Sequence, residues 1–148
     1  FNGACATMAN YCTAGTTTHG CVASIVGSGT ASASAGSGFT ISVGNVEGAQ
    51  SGILFYGLGS TASAWGAGTS FLCVKAPLER TGVQTTGGTI NLCNGSMALN
   101  FNSYILTHSG VGIPFLGGET VFAQAWFRDP PSPKTTNLSN GLQFSVAP

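Results

Sequence analysis

The chain is short of charged side chains. Only eight of its 148 residues are ionised, four Lys or Arg against four Asp or Glu, whereas about a quarter of an ordinary soluble domain is charged. The four basic residues are scattered, and a phosphate-tracking stripe needs them clustered, so we expect no nucleic-acid partner. The four carboxylates form no clustered acidic loop, which argues against calcium. The composition therefore points away from several common binding functions.

Long apolar runs are lacking too. Residues 52–58 form one of the longest, far below the roughly 20 residues that cross a bilayer, so we predict no transmembrane segment. The chain starts at Phe1 with no apolar signal region, which fits a mature export product. Its length suits one domain with one core. We expect a secreted protein that works outside the cell or at the cell surface.

Catalytic groups are few. His19 and His108 are the two histidines, and no GxSxG motif accompanies them. Glu79 is next to Arg80, and Asp129 follows Arg128, so these carboxylates are interpreted as turn or ion-pair residues rather than a glycosidase pair. We therefore predict no enzyme, no catalytic residues and no cofactor. The complete set of carboxylates is Glu47, Glu79, Glu119 and Asp129.

The cysteines predict disulfides rather than metal binding. No CxxC motif is present, and His19 precedes Cys21 without a second ligand pair, so no metal site is expected. Nearness in sequence favours Cys12 with Cys21 and Cys73 with Cys93, although the spacing leaves other pairings open. Cys5 is then left as an unpaired thiol or a bond to another subunit.

Short alternating segments dominate the chain. Apolar and polar residues alternate with period two between clusters of Gly, Pro, Asn and Ser, which is typical of strands and turns, and no helix is predicted. We predict an all-β, two-sheet β-sandwich of about eight or nine strands, jelly-roll or immunoglobulin-like, over residues 21–148, preceded by an N-terminal arm over residues 1–20. The predicted strands are 21–25, 39–44, 52–57, 70–75, 82–86, 89–93, 97–102, 120–128 and 142–146.

Several aromatic side chains are candidates for exposed contacts with sugar rings. They are Trp65, Tyr56, Tyr104 and Trp126, and core or subunit packing is the alternative for each. Trp126 and Phe127 point to opposite faces of one strand, so only one of the two can belong to the core. Two sequons, at Asn94 and Asn137, are candidate glycosylation sites.

Short motifs follow one another in a fixed order along the chain: YCT at 11–13, GC at 20–21, SASAGSGF at 32–39, FYG at 55–57, LCV at 72–74, RT at 80–81, RDP at 128–130 and NLSNGL at 137–142. As an ordered set they resemble a β-rich domain without an assigned activity, which recurs near the C-termini of secreted proteins of planctomycete-like bacteria. The resemblance runs from about Tyr11 to Pro148 and implies export and a β-rich fold. That family commonly ends in Cys-Pro, whereas Ala147 precedes Pro148 here, so Cys5 could replace the missing partner or link subunits.

The scarcity of charge favours a structural function. Sheet edges expose backbone hydrogen-bonding groups that proteins often guard with Lys, and this chain has little Lys to do so. We predict a secreted subunit that assembles with copies of itself into a filament, sheath or surface layer. Residues 1–20 or 142–146 could add to a neighbour's sheet. The alternative is a carbohydrate-binding or adhesion module.

Overall fold

The computed structural model describes residues 7–148, which form ten strands and one short α-helix. The predicted all-β class is confirmed. Within this part of the chain, no helix is both long and apolar enough to cross a bilayer. The elements are β1 Met8–Tyr11, β2 Ser24–Gly29, β3 Phe39–Val46, β4 Ser51–Gly57, β5 Ser60–Ala64, β6 Phe71–Val74, β7 Glu79–Thr85, β8 Gly95–Asn100, α1 Phe101–Thr107, β9 Thr120–Arg128 and β10 Thr136–Ser145, with a 3-10 turn at Pro133–Thr135.

Two antiparallel sheets pack face to face. The larger has the order β1-β10-β9-β4-β7 and the smaller the order β2-β3-β8, while β5 and β6 form a separate hairpin. The main core between the sheets is rich in aromatic rings, with Phe39, Phe101 and Phe144 in mutual contact at centroid distances of 4.8–6.3 Å. This core leaves the outer face of the larger sheet available for a site.

The helix is the element that the sequence pattern did not predict. The strand predicted over 97–102 ends at Asn100, whose side chain accepts a hydrogen bond from Ser103 N at 3.1 Å and caps α1. Phe101 fits the period of the strand, but it also fits a helical spacing with Tyr104 and Ile105, and all three are buried. The predicted strand at 89–93 is also absent, because these residues form a turn with one isolated bridge at Ile90.

Part of the predicted arm belongs to the sandwich. β1 pairs antiparallel with β10 of its own chain, from Met8 opposite Phe144 to Tyr11 opposite Gly141. β10 pairs on its other side with β9, so the segment 142–145 has neighbours on both sides within its own sheet. In the folded chain this segment has no open edge at which a neighbour's strand could pair, and its exchange between copies stays a prediction.

Amide side chains, rather than charges, guard the edges of the smaller sheet. At the β2 edge, Ile25 N donates to Asn140 Oδ1 at 2.9 Å, and Ile25 O accepts from Asn10 Nδ2 at 2.7 Å. At the β8 edge, Gln84 Nε2 donates to Ala98 O at 2.9 Å, and its Oε1 accepts from Ala98 N at 3.2 Å. In this chain, which has little Lys, uncharged amide side chains thus form hydrogen bonds with the backbone groups at the sheet edges.

Four cysteines form disulfides, but not in the pairing that their spacing favoured. Cys12 pairs with Cys73 and Cys21 with Cys93, at Cα separations of 6.3 and 5.4 Å. Each bond joins segments 61 or 72 residues apart, because the fold places Cys12, just after β1, against β6 and the turn before β2 beside the turn before β8. Cys5 lies outside the described residues.

Candidate functional site

A groove opens on the outer face of the larger sheet. Strand register places Leu138, Trp126, Ile53 and Val83 directly opposite one another in a single row across β10, β9, β4 and β7. Phe127, the next residue along β9, is fully buried in the core on the other face. This confirms that Trp126 and Phe127 point to opposite faces, and it makes Trp126 the outward residue of the pair.

The β5–β6 hairpin forms one wall of the groove and is held down by buried polar contacts. Gln124, fully buried, accepts from Cys73 N at 2.9 Å and donates to Phe71 O at 2.8 Å and Ser139 O at 2.7 Å. Tyr11 donates its hydroxyl to Cys73 O at 2.7 Å, and burial raises the pKa of Tyr11 above its usual range. These contacts and the Cys12–Cys73 disulfide fix the hairpin against the sheet.

Trp65 follows β5 and is held at the rim by two contacts. Its indole Nε1 donates to Thr136 Oγ1 at 2.8 Å, and Lys134 Nζ lies 3.9 Å from the ring centroid in a cation–π contact. Lys134 has a φ of 63°, which is a left-handed backbone conformation that residues other than Gly and Asn seldom adopt. Such strain is often found at functional positions.

The groove concentrates most of the positive charge of the protein. Its volume is about 640 Å³, and three of the four cationic side chains line it, with Lys75 the exception. No carboxylate lines it within residues 7–148. Three basic residues that are scattered in the sequence are therefore close together in space. We call this site the aromatic groove and define it by Trp65, Trp126, Arg80, Arg128, Lys134 and Leu138.

The two tyrosines predicted as exposed contacts lie elsewhere. Tyr56 and Tyr104 are buried, so their predicted exposure is wrong. Tyr56 donates to Val111 O at 2.8 Å, and burial raises its pKa above the usual range. Tyr104 donates to Glu79 Oε2 at 2.7 Å, and burial, together with that bond, raises its pKa to about 12. Glu79 thus anchors the helix and is not paired with Arg80.

A second candidate site is formed by residues whose spacing in the sequence does not predict it. His19, Glu47 and Asp129 each place a potential ligand atom within 4.8 Å of the others, and we call them the carboxylate cluster. Glu47 and Asp129 are 2% and 1% exposed. Of the two interpretations of Asp129, a turn or an ion-pair residue, the ion pair with Arg128 is absent from the described residues, and Asp129 directly follows β9. His19 Nδ1 lies 2.8 Å from Glu47 Oε1, and no Lys or Arg in the described part of the chain lies within 4 Å of a carboxylate.

The remaining candidate residues have structural surroundings. His108 is exposed and stacks on Tyr104 at a centroid distance of 3.9 Å. Partial burial raises the pKa of Glu119, but hydrogen bonds from backbone N–H groups, including those of Leu116 and Gly117, outweigh it, so the net shift is downward. Neither residue lines the aromatic groove or belongs to the carboxylate cluster.

The two sequons differ in accessibility. Asn94 is exposed, whereas Asn137 is 4% exposed, with its amide donating to Asp129 Oδ2 and its Oδ1 accepting from Ser70 Oγ. A glycan on Asn137 would disrupt this buried network, so the prediction for Asn137 is wrong for the folded protein. Asn94 stays a candidate.

Comparison with known proteins gave no matching family model, no significant match among curated proteins and none among solved structures.

Proposed function

We propose that the protein binds acidic polysaccharides in the aromatic groove. The observation that carries this proposal is the joint placement of two indoles and three cations around one groove without a carboxylate among its described walls. An indole face packs against the C–H face of a sugar ring, while a cation recognises a carboxylate or sulfate substituent. The volume of about 640 Å³ lies within the range usual for ligand sites.

The charge distribution supports an anionic ligand. The protein has a formal net charge of zero, so three cations at one groove must be offset by anions elsewhere. Two of the four carboxylates are buried in the carboxylate cluster, where they contribute little to recognition at the surface. A local positive potential attracts anions even on a neutral protein.

The disulfides support a polysaccharide over a nucleic acid. Two disulfides are present, and such bonds persist in oxidising compartments outside the cytoplasm, where acidic polysaccharides are available. Secretion is part of this proposal. A single-stranded nucleic acid also stacks on aromatic rings, but it normally follows a longer basic track than three side chains provide.

Calorimetry with acidic and neutral oligosaccharides of equal length tests the proposal. We expect oligogalacturonate to bind and cello-oligosaccharide to bind much more weakly. Arg128→Gln should weaken the acidic ligand about tenfold, because a hydrogen bond between charged groups contributes about 1.5–3 kcal/mol. Trp126→Ala should weaken it by a similar factor through lost stacking, and affinity should fall as salt is added.

Lys75→Gln is the matched control, since it removes the one cation outside the aromatic groove. It should leave affinity unchanged. Equal loss in Lys75→Gln and Arg128→Gln would show that net charge, not the groove, governs binding. Tighter binding of oligothymidylate than of any acidic sugar would overturn the choice of ligand.

Self-assembly stays a second proposal, supported by the outer edge of β7. This strand pairs only with β4 among the described residues, and Val83 on it is 78% exposed. A copy of the chain could pair along that edge. Sedimentation velocity over a wide concentration range should then show larger species that Val83→Lys reduces. One monomeric species throughout would reject this assembly.

A further inference from the structure

The carboxylate cluster places two negative groups inside the protein with little opposite charge. Glu47 and Asp129 are almost fully buried, and their ligand atoms lie within 4.8 Å of each other and of His19. In residues 7–148, no Lys or Arg side chain lies within 4 Å of either carboxylate, and the His19 imidazole is the one basic group at that distance. Burying two carboxylates together is costly unless a cation offsets them.

One oxygen of the cluster has no partner. Asp129 Oδ2 accepts from Thr18 N at 2.9 Å and from Asn137 Nδ2 at 2.8 Å. Asp129 Oδ1 is buried and has no hydrogen-bond partner in the described part of the chain. Native proteins seldom leave such an atom unsatisfied, and a bound ion is one way to satisfy it. The two donors to Oδ2 hold the carboxylate so that Oδ1 remains free.

The other two residues are positioned in a similar way. Glu47 Oε2 accepts from Thr17 Oγ1 at 2.5 Å, while Glu47 Oε1 contacts His19 Nδ1 at 2.8 Å. His19 lies in a turn closed by Thr17 N donating to Cys21 O at 2.9 Å. The Cys21–Cys93 disulfide anchors the same turn. The chain thus holds three potential ligands on supported elements, as metal sites require.

From this arrangement we propose that His19, Glu47 and Asp129 bind a divalent transition-metal ion, with Zn²⁺ as the best match. Zn²⁺ accepts one imidazole and two carboxylates, whereas Ca²⁺ takes oxygen ligands. Bonds of about 2.0–2.2 Å would require small side-chain rotations to bring the three ligand atoms onto one ion. Three protein ligands leave a further position for water.

Access to the cluster is available from one side. Thr17 and Thr18, which hold Glu47 and Asp129, line a cavity of about 260 Å³, and Asn137 lines it as well. His19 itself is 34% exposed at its side chain. The cavity thus borders residues that hold the two carboxylates, and His19 gives the cluster a side that is open to solvent.

Zn²⁺ titration of untagged, EDTA-treated protein, followed by calorimetry, tests this site, with Co²⁺ absorption as a second readout. We expect one Zn²⁺ per chain and visible Co²⁺ bands that Zn²⁺ abolishes. His19→Asn and Asp129→Asn should each weaken Zn²⁺ binding by roughly tenfold or more. His108→Asn and Glu119→Gln are matched controls that remove the other histidine and a carboxylate outside the cluster, and they should bind as the unmodified chain does.

His19→Asn keeps the test decisive if Asp129→Asn fails to fold, because His19 is partly exposed in a turn. Circular dichroism in EDTA would establish that each variant is folded. No Zn²⁺ binding by the unmodified chain, or binding that His19→Asn leaves unchanged, would overturn the site. Binding of Ca²⁺ in preference to Zn²⁺ would overturn the choice of ion.

Discussion

The aromatic groove and the carboxylate cluster lie on either side of Trp65 and Thr136, yet they differ in the sign of their charged side chains and in how far these are buried. Both residues line the groove and also the cavity beside the cluster. In the groove, Arg80 and Lys134 are exposed, whereas Glu47 and Asp129 in the cluster are buried. Water solvates an exposed cation until a ligand binds, whereas a buried anion needs a partner within the fold. Most of the few charged side chains of the protein therefore lie at these two sites.

Strand alternation separates these two places. Arg128 lines the aromatic groove, while Asp129, the next residue, belongs to the carboxylate cluster. On the facing strand, Thr136 lines the groove and Asn137 donates to Asp129. Successive side chains of a strand point to opposite faces, so two neighbouring residue pairs are enough to build both sites.

The largest expected effect comes from removing one disulfide at a time. Cys12→Ala with Cys73→Ala releases the hairpin wall of the aromatic groove, and Cys21→Ala with Cys93→Ala releases the turn that carries His19. Each double variant should lose about 4 kcal/mol of unfolding free energy, since each bond closes a loop of 61 or 72 residues. Urea denaturation measures this loss.

The two double variants also serve as controls for each other. The first should weaken binding of oligogalacturonate and keep Zn²⁺ binding, and the second should do the reverse. If each variant lost both ligands to the same extent, the groove and the cluster would form one cooperative unit, and their comparison as separate sites would fail.

Gln124→Leu should have the next largest effect. It removes three hydrogen bonds and leaves backbone groups of Cys73, Phe71 and Ser139 unpaired beneath the hairpin. We expect a loss of about 3 kcal/mol of unfolding free energy, measured by urea denaturation, and weaker binding in the aromatic groove. Gln143→Leu, at an exposed position of β10, is the matched control and should change stability by less than about 0.5 kcal/mol. Similar losses in both variants would contradict the anchoring role.

Much of the fold was predictable because alternation follows burial directly. The strand predicted over 120–128 coincides with β9, and the one over 52–57 lies within β4. The alternation over 97–102 does not predict the helix, because Phe101 fits both the period of a strand and that of a helix. The N-cap side chain of Asn100 decides between the two. Scarcity of Lys suggested unguarded edges, but Asn and Gln side chains supply the same backbone hydrogen bonds without charge.

The sites were less predictable, for a topological reason. Trp65 and Trp126, two of the four aromatics predicted as exposed contacts, are partly buried beside the groove, and nothing in the spacing places Lys134 over Trp65. His19 comes from a turn, Glu47 directly follows β3 and Asp129 directly follows β9, so their contacts depend on how the sheets pack. The sequence contains no short ligand motif that predicts the carboxylate cluster. Local pattern predicts which face a side chain takes, and not which distant residue it meets.

Thr136→Val examines the wall that the two regions share. It removes the acceptor of the Trp65 indole N–H with little change of shape. We expect a loss of about 1 kcal/mol of unfolding free energy, altered tryptophan fluorescence and weaker oligogalacturonate binding, with Zn²⁺ affinity unchanged. Thr85→Val, at an exposed position on β7, provides the control. A drop in Zn²⁺ affinity would show that Trp65 couples the two sites.

The smallest expected effect concerns Glu119, a carboxylate outside both regions. Backbone N–H groups hold its pKa below the ordinary value, so its ionised form stabilises the folded state at neutral pH. Because the folded-state pKa is lowered, this contribution is present above the unfolded-state pKa and is lost as pH falls through the folded-state pKa. Glu119→Gln should therefore lower the melting temperature slightly at pH 7, and the difference from the unmodified chain should shrink in acid. A difference that grew on acidification would mean that Glu119 resembles a buried, unpaired carboxylate, and its contrast with the carboxylate cluster would disappear.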